Sequence, residues 1–291
     1  MKPAPFAYVR PGSLDEVLGC LADGEGKVIA GGQSLVPVLA MRLGRPATLV
    51  DINSVSALSE LRLADGMLRV GATVRQRTLE HSAEITSVPM LAMALPFVGH
   101  RELRSRGTVC GSLAHADPAA ELPAVACCLG ARLRIAGPGG HREVAAAEFF
   151  AGAMTTAVGP DEVLVAAEFP VAEAGTGFGF AELARRHGDF ALAGVAASVT
   201  VEPDGTPRDA RLTAFGVSDR PVSRDVTALL TTEGGDWRDL RPALEVLAEE
   251  IVDTEGDAHG STGYRRRLLA VLAARELSSA RRRAAAGKAS S

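Results

Sequence analysis

The sequence predicts an α+β chain built as two units, and three observations carry that expectation. Roughly the first 55 residues read as a compact β–α–β unit. Short strands and helices then continue to about residue 170. After a cluster of small and turn residues at 172–177, the order changes to a run of strands followed by a run of helices. The expected limits are 1–174, with subdomains at about 1–55 and 56–174, then 175–280, then a flexible tail at 281–291.

Taken in order, Ser13-Leu14-Asp15-Glu16 has the form of a capping box. Leu14, Val17, Leu18 and Leu21 follow at helical spacing, so a helix over 13–22 is expected, ended by Gly24 and Gly26. Lys27-Val28-Ile29-Ala30 reads as a short buried strand running into Gly31-Gly32-Gln33-Ser34-Leu35, and Thr48-Leu49-Val50-Asp51 as a second strand. Further strands are expected at 61–63 and 67–70, and a helix over 89–98. The polar stretch His100 to Gly107 reads as a basic loop, and residues 119–129, almost wholly Ala, Leu, Val and Cys, as a deeply packed helix. Strands at 132–135 and 141–144 flank the hairpin signature Gly137-Pro138-Gly139-Gly140, and a strand at 163–169 ends at Pro170. In the second unit, strands at 179–183, 191–201 and 210–217 precede helices at 238–252 and 262–277.

Composition narrows the function. The 291 residues are 47% hydrophobic but only 4% aromatic, so Ala, Val and Leu must build the core. A net charge of −4 gives no electrostatic footprint for nucleic acid, and Arg281-Arg282-Arg283 reads as part of a solvated, frayed end. Cys20, Cys110, Cys127 and Cys128 form no C-x-x-C pair, so neither a disulfide framework nor a metal or iron–sulfur site is indicated. The N-terminus lacks an apolar signal region and no apolar run reaches membrane-spanning length, so a cytoplasmic protein is expected.

Two glycine-bearing elements stand out beside expected strand ends: Ala30-Gly31-Gly32-Gln33-Ser34-Leu35 and Gly107-Thr108-Val109-Cys110-Gly111-Ser112. Glycine lets main-chain N–H groups approach a bulky anion, and successive N–H groups turned one way form an anion nest. Ser34, Thr108 and Ser112 add hydroxyls. No P-loop, G-x-G-x-x-G, G-x-S-x-G or H-E-x-x-H motif occurs. Asp117 and Glu121 lie one helical turn apart and have two compatible readings, as acceptors for ribose hydroxyls or as acids stabilising a helix start.

The stretches AGGQSLVPVLAMRLGRPATLVDIN and TVCGSLAHADPAAELPA, with FAELARRHGDFALAGVA and the turn at 260–264, resemble the FAD-binding medium subunits of the molybdenum hydroxylases over residues 3–277. The resemblance implies a p-cresol methylhydroxylase/vanillyl-alcohol-oxidase-type FAD-binding fold of two α/β subdomains, followed by an α+β domain of the CO dehydrogenase flavoprotein type. It implies FAD bound through Ile29, Ala30, Gly31, Gly32, Gln33, Ser34 and Leu35, then Thr108, Cys110, Gly111 and Ser112, with Asp117, Glu121 and Leu164 nearby. It also implies partners: a large molybdopterin-binding subunit and a small iron–sulfur subunit, assembled as a dimer of heterotrimers. No acid, base, nucleophile or metal ligand is expected in this chain. Cys110 stands where glycine is usual, implying a wider turn, and Ala181-Glu182 stands where relatives often carry lysine. The alternative, a stand-alone flavin oxidase or reductase of the same fold, needs its own catalytic groups, and only Tyr8 and Tyr264 supply phenols. A binding module that has lost the flavin is the non-enzyme alternative.

Overall fold

The computed structural model describes residues 2–232 and 236–287. The chain opens with β1 (Ala7–Val9), α1 (Leu14–Leu21), β2 (Gly26–Ile29), α2 (Leu35–Ala40) and β3 (Thr48–Asp51). β3 lies between β1 and β2 and is parallel to both, with Val50 opposite Val9 and Val28. The capping box acts at α1: Ser13 accepts from the Glu16 amide, while the Glu16 carboxylate accepts from Gly12 at 2.7 Å. Val17 and Leu21 bury the inner face of that helix.

The hairpin β4 (Leu61–Ala64) and β5 (Met67–Gly71) leads into five short helices. These are α3 (Gln76–Glu80), α4 (Pro89–Ala94), α5 (Arg101–Arg106), α6 (Val109–His115) and α7 (Glu121–Leu129). β6 (Arg132–Gly137) and β7 (Gly140–Ala145) form the expected hairpin. α8 (Ala146–Phe149) and the ribbon β8 (Phe150–Gly152) and β9 (Thr155–Thr156) precede β10 (Val163–Pro170), which enters the middle of an antiparallel sheet ordered β4-β5-β10-β6-β7.

Three readings change here. The polar stretch after His100 is a helix, α5, because Arg104 is an anchor rather than a solvated charge. Its guanidinium makes two bonds of 3.1 Å to Glu80 and two of 3.2 Å to the carbonyls of Val98 and Gly99. Residues 119–120 precede α7 instead of belonging to it, since Asp117 turns the chain by accepting from the Ala119 amide. The helix expected over 89–98 is α4 followed by a separate 3-10 turn at Leu95–Phe97, where Pro96 falls.

The second unit is a meander of β11 (Thr176–Leu183), β12 (Ala193–Val201), β13 (Pro207–Phe215) and β14 (Val222–Asp225). α9 (Thr227–Thr232), α10 (Trp237–Ile251), the small hairpin β15 (Gly256–Asp257) and β16 (Gly260–Ser261), and α11 (Thr262–Ala286) follow. α11 covers one face of β11 so closely that a Cβ on Gly177 would lie 2.0 Å from the Ala280 carbonyl oxygen, and one on Gly179 2.4 Å from that of Glu276. The opposite face carries Phe178 and Phe180 into the core of the first unit, where Phe180 meets Phe97 and Phe215. α11 also corrects the expected tail. Ala280 and Ala284 are buried and Arg283 donates to the Phe178 carbonyl, so 281–286 is packed helix; residues 288–291 lie outside the described ones. No described helix is long and apolar enough to cross a membrane.

Candidate cofactor site

β2 ends at Ile29 and the chain turns through Ala30, Gly31 and Gly32 into α2. Gly32 takes φ +73°, a left-handed conformation that glycine adopts without the steric cost other residues bear. Gly31 is needed for another reason. A Cβ there would sit 2.4 Å from the carbonyl oxygen of Arg106 and 2.8 Å from Cα of Gly107. The two glycine elements, some 75 residues apart in sequence, are therefore in backbone contact. Among the described residues, the amides of Gly31, Gly32, Gln33, Ser34 and Leu35 donate to no protein acceptor. Successive free donors of this kind are the material from which an anion nest is built.

A polar network behind the turns sets their spacing. Asn53 donates from Nδ2 to the Ala30 carbonyl at 2.9 Å. In a trans peptide the C=O and N–H point opposite ways, so this bond aims the Gly31 N–H away from Asn53. Arg75 donates 2.6 Å bonds to Asn53 Oδ1 and to the Arg106 carbonyl, joining the two turns through one guanidinium. Asp51 steadies Asn53 by accepting from its amide at 2.9 Å, and the Tyr8 hydroxyl donates to Asp51. Carbonyl oxygens that would repel an anion are thus held on the back of the cradle by hydrogen-bond donors.

The second element is a helix start rather than a strand end. Thr108 is the N-cap of α6, accepting from the Gly111 amide at 2.9 Å, and is 2% exposed. Val109 donates to Val74 and Ser112 to the Thr108 carbonyl, so most amides of this element are committed internally. Cys110 does not widen a turn. It lies inside α6 with its thiol in the core, donating towards the Val70 carbonyl, and burial pushes that thiol up to about 12. Cys127 and Cys128 are likewise buried free thiols. Ser112 is half-exposed, and Leu164 is a core side chain of β10 beside a bulge.

α6 ends at His115, and Ala116 in the left-handed conformation turns the chain to Asp117. From Thr108 to Ala116 the path is roughly 12 Å at helical rise. Asp117, Pro118 and Ala119 line a cavity of about 410 Å³ whose other wall comes from the second unit, including Arg185, Phe190, Asp257 and Arg265. Phe190 exposes 72% of its surface at this cavity. Arg185 lies 3.6 Å from Asp189, an exposed pair. Glu121 is the first residue of α7 and only 8% exposed; burial raises it to about 7, with the charge of Asp117 adding to the effect. Sequence reasoning missed Tyr8, Asn53 and Arg75. Asp51-Ile52-Asn53, polar groups just past the carboxyl end of a parallel strand, were a usable signal. Arg75 gave none.

Comparison with known proteins now fits this geometry. Residues 4–172 match the family model of the FAD binding domain in molybdopterin dehydrogenase, and residues 178–280 that of the CO dehydrogenase flavoprotein C-terminal domain. The chain is 36% identical to the 6-hydroxypseudooxynicotine dehydrogenase complex subunit alpha of Paenarthrobacter nicotinovorans, covering 98% of this chain and 97% of that one. It is 32% identical to the carbon monoxide dehydrogenase medium chain of Afipia carboxidovorans, covering 98% and 99%. Among solved structures, quinoline 2-oxidoreductase from Pseudomonas putida 86 superposes with a TM-score of 0.91 at 37% identity, covering 98% of this chain and 99% of that one. With both halves matched in order and relatives aligned end to end, the chain belongs to the FAD-binding subunits of the molybdenum hydroxylase family of dehydrogenases.

Proposed function

We propose that this chain holds FAD across the seam between its two units and relays electrons from iron–sulfur clusters of a small partner subunit to an external acceptor. A large molybdopterin-binding partner would oxidise the substrate, in a dimer of heterotrimers. The observation that carries the reading is the contact of Gly31 with Arg106 and Gly107, which sets five free amides at the rim of a single cradle.

The residues fit the cofactor. The amides of Gly31 to Leu35 and the Ser34 hydroxyl would take the pyrophosphate, with no lysine required, since hydrogen bonds to a charged group contribute about 1.5–3 kcal/mol each. The second element contributes the start of α6, and Ser112 its hydroxyl. Asp117 and Glu121 face the hydroxyl-bearing part, and the cavity between Asp117 and Phe190 would receive the ring system. FAD supplies one- and two-electron chemistry when bound, while the protein contributes position and electrostatics. No side chain of this chain need act as acid, base or nucleophile for that relay.

The test is a co-expressed complex carrying Gly31→Val in this chain. The variant complex is expected to lack absorbance near 450 nm (a general flavin property) and to keep its iron–sulfur clusters. After dithionite reduction it should pass electrons to menadione at least about tenfold more slowly than wild type. Equal rates in the flavin-free complex would overturn the relay.

A further inference from the structure

Glu182 is a half-buried acid that the site as described does not use. It lies on β11 two residues beyond Phe180, and alternation along a strand puts it on the same face. That face turns towards the first unit, because Gly177 and Gly179 meet α11 on the other. One carboxyl oxygen, Oε2, is fully buried and has no hydrogen-bond partner among the described residues. The charge it feels is that of Glu121, at the start of α7 across the seam. Burial, with that neighbour's charge adding to it, raises Glu182 to about 8. Glu121 itself takes a bond from its own helix amide. The cation whose charge acts on Glu121, Arg104, is engaged by Glu80 and two backbone carbonyls.

An acid whose buried oxygen has no donor and which faces a second carboxyl is costly, because a buried acceptor left unpaired loses its hydration without compensation. A ligand that brings neutral donors relieves this; one that brings negative charge does not. Within a dinucleotide, phosphates suit the amide nest and are repelled by acids, whereas hydroxyls donate to a carboxylate and accept from a carboxylic acid. A hydroxyl therefore satisfies Glu182 in either state of protonation.

We propose that Glu182 is a further cofactor-binding residue, which with Glu121 clamps the hydroxyls of the dinucleotide's sugar-derived chains from the second unit's side of the seam. This deepens the FAD reading and rests on it. The two units then close on the cofactor from opposite sides, the first gripping phosphate and, through Glu121, hydroxyl, and the second adding Glu182 to the hydroxyl grip.

The experiment reconstitutes apo-protein, stripped of flavin, with FAD, and follows binding by quenching of flavin fluorescence. Thermal melting of the apo form is measured beside it. Glu182→Leu removes both the hydrogen bond and the unpartnered acid. It should weaken FAD binding about tenfold while leaving the apo melting temperature equal to or above wild type. Glu182→Gln keeps a hydrogen-bonding side chain and should bind within about threefold of wild type. Unchanged affinity in Glu182→Leu overturns the proposal. A fall in affinity accompanied by a lower apo melting temperature also overturns it, since that marks a structural role. Failure of the wild-type chain to bind FAD would instead overturn the FAD reading itself.

Discussion

The two glycine turns look alike in sequence and differ in construction. The turn at Gly31 to Leu35 leaves its amides free and is partly open to solvent. The turn at Gly107 to Ser112 is closed on itself: Thr108 caps it, Val109 and Ser112 donate inward, and Cys110 is part of the core. On the proposed FAD reading, the first receives the ligand and the second is the wall against which it is set. Glycine does two jobs within the first turn alone, Gly32 taking the left-handed backbone and Gly31 letting the two turns touch. Counting glycines cannot separate them; following the N–H groups does.

The largest expected effect strikes the contact between the turns. Gly31→Val places a side chain where the Arg106 carbonyl already lies, so the turns must part and FAD content should fall below about a tenth of wild type, read from the ratio of absorbance at 450 and 280 nm. Arg75→Ala comes next. It removes the guanidinium that joins Asn53 to Arg106 and leaves both carbonyl groups without that donor. FAD affinity should drop about ten- to a hundredfold, the worth of a hydrogen bond to a charged group. Retained affinity would mean that backbone contact alone fixes the spacing.

Thr108→Ala tests the other side of the comparison. Losing an N-cap costs about 1 kcal/mol, so melting should fall by about 2–4 °C while FAD affinity stays within about threefold. A tenfold loss of affinity without a melting change would make Thr108 a ligand and erase the distinction between the turns.

The smallest effect concerns pH. Neither turn holds a group that titrates between pH 5 and 8, but Glu121 and Glu182 are raised to about 7 and about 8. Between the ordinary carboxylate range and those values the folded state keeps protons that the unfolded chain releases, so their contribution is greatest at the acid end and is lost as pH rises through 7 and 8. His115, pushed towards its neutral form by burial, works in the opposite sense below its ordinary range. The measurement is therefore a difference. Wild-type apo melting minus that of a Glu121→Gln/Glu182→Leu variant should decline by a few degrees from pH 5 to 8, and a flat difference would deny the acids their shifted protonation.

Much of this was legible in the residues. The β–α–β opening followed from the capping box at Ser13 and the apolar runs at 27–30 and 48–51, because local rules and burial agree there. α5 escaped because RELRSR shows no apolar stripe; the partner that makes it a helix, Glu80, is 24 residues away from Arg104. The first glycine turn was readable as a turn, since glycine after a parallel strand is free to leave its amides unpaired. Its support through Asn53 and Arg75 was not, because that is a matter of three-dimensional register. Glu182 was visible as a departure from a lysine, yet only the strand's facing shows which way the departure points.

The last helix has a practical consequence. Arg283 bonds to the carbonyl of Phe178, and small residues let α11 lie flush on the strand that carries Glu182. On the proposed reading, shortening the chain at residue 277 would unseat that strand's outer support and with it one jaw of the cleft, whereas a fusion placed after Gly287 adds its bulk beyond the clasp. Where an affinity handle is joined thus decides whether the purified protein is yellow.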